Sequence, residues 1–182
     1  MIKLKITLVR HAQTEENYLR VIQGRENKLL NDSGRRQVLR LKMKLKDKKY
    51  DMCFVSPLTR CMETALVSVG DRVCMFPDDR LIEREVGEFE GRPDVEYNAY
   101  KYWDYDLNKS DFGVEPIHDL FDRCCDFLDY IKKEYPDKDI IIVTHSAPYR
   151  ALRHLLLGHE LKGKMLDGRI DNCQVEEFEI KK

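Results

Sequence analysis

Two residues that suit phosphate chemistry follow the first apolar run of the chain. Residues 6–9 (ITLV) are apolar or β-branched, Arg10 and His11 come next, and polar residues continue to Asn17. Arginine presents a planar fork of N–H donors that matches phosphate oxygens. Histidine can act as nucleophile, acid or base near neutral pH. Taken alone, the dipeptide is explained more simply by an arginine that pairs with a surface carboxylate and a histidine that ends a strand.

A second histidine follows another apolar run, near the other end of the chain. Residues 139–144 (DIIIVT) lead directly into His145. Both runs are typical of buried parallel strands, and ligands bind at the carboxyl edge of such sheets. Ser146 is placed to cap the helix that follows, and Gly158 to end it. The sequence therefore predicts that the two histidines lie at the same edge of one sheet.

A second arginine is predicted close to that edge. Residues 52–55 (MCFV) indicate another buried strand, after which Ser56 is a natural N-cap and Pro57 a natural first helical residue. Arg60 would lie about one turn into this helix, near an N-terminus that favours anions. This arrangement predicts a phosphate-binding cradle. The alternative is that Arg60 pairs with Glu63 on the helix surface.

An acidic, glycine-containing loop supplies the candidate proton donors. It holds Glu83, Glu85, Glu88 and Glu90. A dense acidic loop usually faces water, but one of these carboxyl groups could be a general acid if it lay beside the phosphate site.

Apolar periodicity predicts the elements that must position these residues. A helix is expected to begin within residues 31–33, and the clearest helix runs over residues 115–133. Residues 73–76 indicate a short strand, and residues 174–182 an edge strand. Residues 92–112 are rich in tyrosine and hold the single tryptophan. We predict that they form a partly helical cap segment, which either lines the site or makes a small satellite core.

Composition excludes several classes of protein. The chain has 182 residues, a length typical of one domain, and its 32 basic and 33 acidic residues give a net charge of −1. This balance predicts neither nucleic-acid nor membrane partners, and we find neither a signal pattern nor a membrane-length apolar run. The six cysteines lack C-x-x-C spacing, which favours reduced thiols in a cytoplasmic protein over a zinc site.

Six ordered stretches resemble the histidine phosphatase superfamily, the phosphoglycerate mutase-like proteins, along nearly the whole chain. They are LVRHAQTEEN, QGRENKLLNDSGRRQ, SPLTRCMETA, LIEREVGEFEG, GVEPIHDLFDRC and IIIVTHSAPYRAL. The resemblance implies an α/β fold: a three-layer α/β/α sandwich with a mostly parallel central sheet and a short cap insertion at about residues 92–112. It also implies one such domain over residues 1–182 and no metal or other cofactor.

The resemblance further implies roles for individual residues. His11 is the expected phosphorylated nucleophile, and Glu83 matches the family's proton donor. Arg10, Arg60 and His145 are expected around the phosphoryl oxygens. The expected substrate-binding residues are Asn17, Gln23, Gly24, Ser146 and Ala147.

Three departures from the family's usual pattern leave the catalytic groups in place, and two of them, at Gln13 and Pro116, bear on substrate preference. Ala12 stands where the family usually has glycine, Gln13 where it often has glutamate, and Pro116 where it usually has serine.

The sequence thus predicts a phosphomonoester hydrolase that acts on a small phosphorylated metabolite through a phosphohistidine. A phosphoglycerate mutase and a non-catalytic phospho-ligand-binding protein are the alternatives. The short segment between Glu83 and His145 favours access of water and hence hydrolysis. Sugar phosphates, phosphoglycerates and α-ribazole phosphate all stay open as substrates, as does a homodimer.

Overall fold

A five-stranded sheet with helices on both faces forms the core of the protein. The structure is a computed structural model that describes residues 3–181. The strands are β1 (Lys3–Arg10), β2 (Met52–Val55), β3 (Met75–Pro77), β4 (Asp139–Thr144) and β5 (Val175–Lys181). The helices are α1 (Glu15–Leu19), α2 (Asp32–Leu45), α3 (Thr59–Val69), α4 (Ala99–Tyr102), α5 (Ile117–Glu134) and α6 (Ser146–Leu157). The predicted three-layer α/β/α sandwich is confirmed.

The sheet brings the ends of β1, β2 and β4 to one edge. Its order is β3-β2-β4-β1-β5. The first four strands are mutually parallel, and β5 pairs antiparallel with β1 at the border of the sheet. Arg10 lies opposite Thr144 in the register of β1 and β4. Consequently, the residues that follow these strands, His11 and His145, emerge side by side.

Alternating residues of the strands pack against different helices, because parallel strands are buried on both faces. Leu8 and Ile142 belong to the large core cluster that includes residues of α5 and α6. Val9 and Val143 point the other way, into a cluster with residues of α2 and α3. The apolar runs of the sequence therefore encode the two interfaces that hold the layers together.

One glycine allows α2 to approach the loop that follows His11. A Cβ added at Gly34 would come within 2.0 Å of the Gln13 carbonyl oxygen, which is closer than any real contact. The side chain of Asn31 caps the helix at Gly34 N, as the sequence indicated, and its own amide donates to Gln13 Oε1 and to the Thr14 carbonyl. The helix N-terminus thus helps to support the loop of the site.

The predicted starts of two helices differ from the structure. Helix α6 begins at Ser146 itself, so His145 and not Ser146 lies at its N-cap position. The helix after β2 begins at Thr59, with Leu58 and not Ser56 at the N-cap position, and Pro57 precedes it. Ser56 Oγ lies 2.7 Å from His145 Nε2 and also accepts from Leu58 N at 3.4 Å, so its hydroxyl contacts the site as well as the residue before the helix. The later start makes Arg60 the second residue of the helix, closer to the N-terminus than predicted.

Residues 92–112 form short pieces of helix, as predicted: a 3₁₀ turn at Asp94–Glu96, helix α4, and a further 3₁₀ turn at Asp111–Gly113. The predicted domain of residues 1–182 includes residues 1, 2 and 182, which lie outside the described residues. No helix among residues 3–181 combines the length and the apolar character needed to cross a bilayer.

Candidate active site

A cavity of about 690 Å³ opens at the carboxyl edge of the sheet. It is lined by nine of the ten residues predicted for the site: Arg10, His11, Asn17, Gln23, Gly24, Arg60, Glu83, Ser146 and Ala147. The tenth residue, His145, is fully buried behind this wall. Residues from six separate stretches of the chain therefore meet where the sequence placed the site.

His11 is held in the tautomer that a nucleophile needs. Its Nδ1 lies 2.7 Å from the Ala12 carbonyl oxygen, which can only accept, so Nδ1 carries the proton and Nε2 keeps its lone pair. Burial, together with the charges of Arg10 and Arg60, holds the pKa of His11 well below its usual range. The imidazole is therefore neutral at neutral pH.

Arg60 is fixed by three contacts and keeps donors free. Its Nε donates to His145 Nδ1 at 3.1 Å, and its terminal nitrogens donate to the Glu26 and Gly24 carbonyl oxygens at 2.6 and 2.9 Å. A guanidinium has five N–H donors, so two are left for an anion in the cavity. The predicted alternative, a pair with Glu63, is wrong, because Glu63 accepts from Leu30 N instead.

The guanidinium group of Arg10 is also held by a hydrogen bond to the backbone. One terminal nitrogen donates to the Ile170 carbonyl oxygen, while Nε is buried and has no hydrogen-bond partner among residues 3–181. A buried unpaired donor beside the cavity is costly unless a ligand satisfies it. Within residues 3–181 Arg10 forms no ion pair with a surface carboxylate, which was the simpler explanation of the sequence.

His145 lies next to both His11 and Arg60. Its ring centroid is 5.1 Å from that of His11. Because Arg60 Nε donates to its Nδ1, the proton of the neutral ring is on Nε2, which faces Ser56 Oγ. Burial and the charge of Arg60 keep the pKa of His145 well below its usual range. By accepting from Arg60 Nε, this second neutral imidazole orients the Arg60 guanidinium from the buried side of the site.

Glu83 lies at the N-terminus of α6. Its two carboxylate oxygens accept from the backbone N–H groups of Ser146 and Ala147 at 3.2 and 3.1 Å, and one of them also accepts from Arg84 N at 2.9 Å. The partial positive charge of a helix N-terminus favours an anion there. In this structure the N–H groups that we assigned to substrate binding are therefore occupied by Glu83.

The cap segment both lines the cavity and forms a small core of its own, the two alternatives that its sequence left open. Tyr97 and Trp103 line the cavity. Tyr97 also stacks on the buried Tyr102 at 4.9 Å, and Phe89 packs edge-on against both rings, which makes a small aromatic core.

Sequence reasoning missed two buried arginines and the segment before β5. The guanidinium groups of Arg84 and Arg150 lie 5.4 and 5.2 Å from the Trp103 ring. Arg84 also donates to the Tyr102 and Glu115 carbonyl oxygens, which ties the cap segment to the start of α5. Leu166, Arg169 and Asn172 form a further wall of the cavity. The one sequence feature that could have indicated a role for Arg84 in the site was its position next to Glu83.

The comparisons with known proteins agree with this geometry. The family model of the histidine phosphatase superfamily (branch 1) matches residues 6–182. The chain belongs to the histidine phosphatase superfamily.

Individual relatives support the same assignment. The chain is 31% identical over 166 residues to phosphoserine phosphatase 1 of Hydrogenobacter thermophilus, covering 87% of this chain and 78% of that one. It is 28% identical over 179 residues to a metal-independent phosphoserine phosphatase of Arabidopsis thaliana, covering 92% and 74%. A mycobacterial glucosyl-3-phosphoglycerate phosphatase has the same fold, with a TM-score of 0.82 at 22% identity over 96% of this chain and 89% of that one. The chain is a phosphatase of this superfamily.

Proposed function

We propose that the protein hydrolyses a small phosphorylated metabolite, without a metal ion, through a phosphohistidine at His11. The observation that carries the proposal is the placement of the buried His11, whose Nδ1 faces the Ala12 carbonyl oxygen at 2.7 Å and so leaves Nε2 for the substrate. A buried neutral imidazole with its Nε2 lone pair free stands beside two guanidinium groups with unused donors. This combination suits in-line attack on phosphorus.

In the first step, His11 Nε2 forms a bond to phosphorus while the bond to the leaving oxygen breaks. The transition state spreads negative charge over the equatorial oxygens, so positioning and electrostatic stabilisation dominate catalysis. Arg10 and Arg60 supply that stabilisation, and His145 holds Arg60 in place. The leaving alkoxide takes a proton from Glu83, which is left as a carboxylate.

In the second step, water attacks the phosphohistidine. Glu83, now a carboxylate, takes a proton from the water, the P–N bond breaks, and His11 returns to its neutral form with release of inorganic phosphate. A mutase would instead return the phosphoryl group to the bound product.

The substrate is proposed at the level of chemical class. Six arginines line the cavity against three carboxylates: Arg10, Arg20, Arg60, Arg84, Arg150 and Arg169, against Glu16, Glu83 and Asp94. A cavity of this size and charge suits a small anionic phosphomonoester. Phosphoserine and glucosyl-3-phosphoglycerate, named for the relatives, are the first compounds to screen.

Trapping of the intermediate tests the proposal. A reaction with ³²P-labelled substrate, quenched rapidly in alkali, should leave an acid-labile label on His11. The His11→Ala variant should take up no label. If His11→Ala is labelled while His145→Ala is not, the two histidines have the reverse roles.

Metal independence has a separate test. No group of three or more potential metal-ligating side chains is found within residues 3–181. We expect hydrolysis of p-nitrophenyl phosphate to continue unchanged in excess chelator. Loss of activity in chelator that a divalent ion restores would contradict the proposal, and isomerisation of phosphoglycerate without release of phosphate would favour the mutase.

A further inference from the structure

We propose that Asn172 is a positioning residue that directs the amide group of Asn17 toward the phosphoryl group of the substrate. The proposal rests on the proposed function, because it concerns the phosphate end of the same cavity. Both side chains line that cavity, although they are 155 residues apart in the chain.

The hydrogen bonds define which atom of each amide is which. Asn172 Nδ2 lies 3.0 Å from the His11 carbonyl oxygen and 3.1 Å from Asn17 Oδ1. The carbonyl oxygen can only accept, so the atom of Asn172 that faces it is the nitrogen. Both N–H donors of the Asn172 amide are therefore used, one by the His11 carbonyl oxygen and one by Asn17 Oδ1.

Asn17 is oriented from two sides. Its Oδ1 also accepts from the backbone N–H of Thr14 at 3.3 Å, as part of the capping box that starts α1. With Oδ1 satisfied by Thr14 and Asn172, the remaining Nδ2 has no hydrogen-bond partner within residues 3–181. That NH₂ group is thus left to donate to an oxygen in the cavity.

The opposite orientation of Asn17 would be unfavourable for the substrate. A flipped amide would present Oδ1 to the phosphate, so an attractive N–H contact would become a repulsive one between oxygens. Because hydrogen bonds to charged groups are stronger than neutral ones, the direction of this amide affects phosphate affinity.

The backbone around Asn172 holds its side chain in place. Cys173 N donates to the Arg10 carbonyl oxygen at 3.1 Å and to that of His11 at 3.3 Å, and Arg10 N donates to the Gln174 carbonyl oxygen at 3.1 Å. The entry to β5 is thereby fastened to the end of β1. The position of Asn172 is determined by the pairing of the two strands and not by a flexible loop.

The test is a double-mutant cycle on binding of inorganic phosphate, measured by titration calorimetry. Asn17→Ala should weaken binding by about 10- to 100-fold, the value of one hydrogen bond to a charged group. Asn172→Ala should weaken it by about 10-fold. If Asn172 acts through Asn17, the Asn17→Ala/Asn172→Ala double variant should bind as Asn17→Ala does.

Two further variants test whether the loss comes from the missing hydrogen bonds. Asn172→Leu has a similar volume and no donors, so it should match Asn172→Ala even if the smaller side chain disturbs folding. Gln174→Ala is the matched control, because the Gln174 side chain interacts with Asp171 N, Glu176 and Tyr149 and does not line the cavity. It should bind phosphate as the wild type does.

Three results would overturn the proposal. Unchanged binding in both Asn172 variants would remove its role, additive losses in the double variant would mean that Asn172 contacts phosphate itself, and an equal loss in Gln174→Ala would indicate a general effect on the segment. Calorimetry needs no turnover, so the outcome is separate from failure of the proposed hydrolysis.

Discussion

At the scale of single residues, hydrogen-bond direction determines what each group can do. The Ala12 carbonyl oxygen sets the tautomer of His11, and Arg60 sets that of His145. Burial then keeps both imidazoles neutral. A protonated His11 would have no lone pair with which to attack phosphorus, so these two constraints together make it a candidate nucleophile.

Glu83 can be tested through the leaving group of the substrate. An alkoxide leaves poorly without a proton, so loss of a general acid should cost about 10²- to 10⁴-fold in rate. A nitrophenolate leaves readily as an anion. We therefore expect Glu83→Gln to lower kcat/KM strongly for an alkyl phosphate and much less for p-nitrophenyl phosphate.

The three neighbouring glutamates serve as controls for Glu83. Glu85 accepts from Val86 N and Gly87 N, and Glu90 accepts from Glu26 N, so both support the loop. Glu88→Gln is the best matched control, because Glu88 is an exposed glutamate of the same loop. None of the three variants should show leaving-group dependence; equal losses on both esters for Glu83→Gln would make it a residue that positions the site.

At the scale of elements, a single hydroxyl connects the loop of His11 to the helix of Arg60. The buried Thr64 of α3 accepts from Ala12 N at 3.1 Å and donates to the Arg60 carbonyl oxygen at 2.6 Å. Ala12 is itself fully buried, so its N–H has no access to water if this contact is lost. Helix α3 therefore supports both halves of the phosphate site.

Replacement of Thr64 by the isosteric valine tests this connection. Thr64→Val should lower the free energy of unfolding by about 1–3 kcal/mol, because a buried N–H loses its acceptor. It should also lower kcat, since His11 and Arg60 lose their common support. Urea denaturation and steady-state kinetics measure the two effects.

Thr64→Ser is the matched control, because it keeps the hydroxyl and loses only a methyl group, at about 1 kcal/mol. We expect it to retain near-normal kcat. A serine variant as inactive as the valine variant would show that volume, and not the hydrogen bond, matters at this position.

At the scale of the whole molecule, two of the buried histidines, His11 and His145, make stability depend strongly on pH. Both have pKa values far below about 6.5, the value expected in the unfolded chain. As the pH falls below that value, the unfolded chain binds protons that the folded protein does not. The free energy of unfolding should therefore decrease as the pH falls from 7 to 5, by up to about 1.4 kcal/mol per pH unit for each imidazole.

Urea denaturation of the wild type and of His11→Asn across this range measures the effect. The variant should show a smaller decrease with falling pH, because it has one buried imidazole fewer. His159→Asn, which changes an exposed histidine beside His154, should alter the pH dependence less than His11→Asn does. Stability that stays level or rises on acidification would contradict neutral buried imidazoles.

Much of the fold could be predicted because its signals are local. The runs at residues 52–55 and 139–144 became strands with those bounds, and the helix expected at residues 115–133 lies at Ile117–Glu134. The period of the apolar residues indicates which faces of an element are buried, and this period can be seen in the sequence alone. The start of α3 was predicted wrongly, since Leu58 and not Ser56 lies at the N-cap position, and the contact of Ser56 with His145 is a tertiary one that the local sequence does not show.

The sequence by itself determined that two strands end in histidine, that Arg60 begins a helix, and that an acidic loop lies between them. These properties depend on residues that are neighbours in the chain. Only the tertiary structure decided the tautomers of the histidines, the contact of Glu83 with α6, and the pairing of Asn172 with Asn17. Such contacts join side chains across the sheet edge, where strand order and register, and not sequence spacing, set the distances between them.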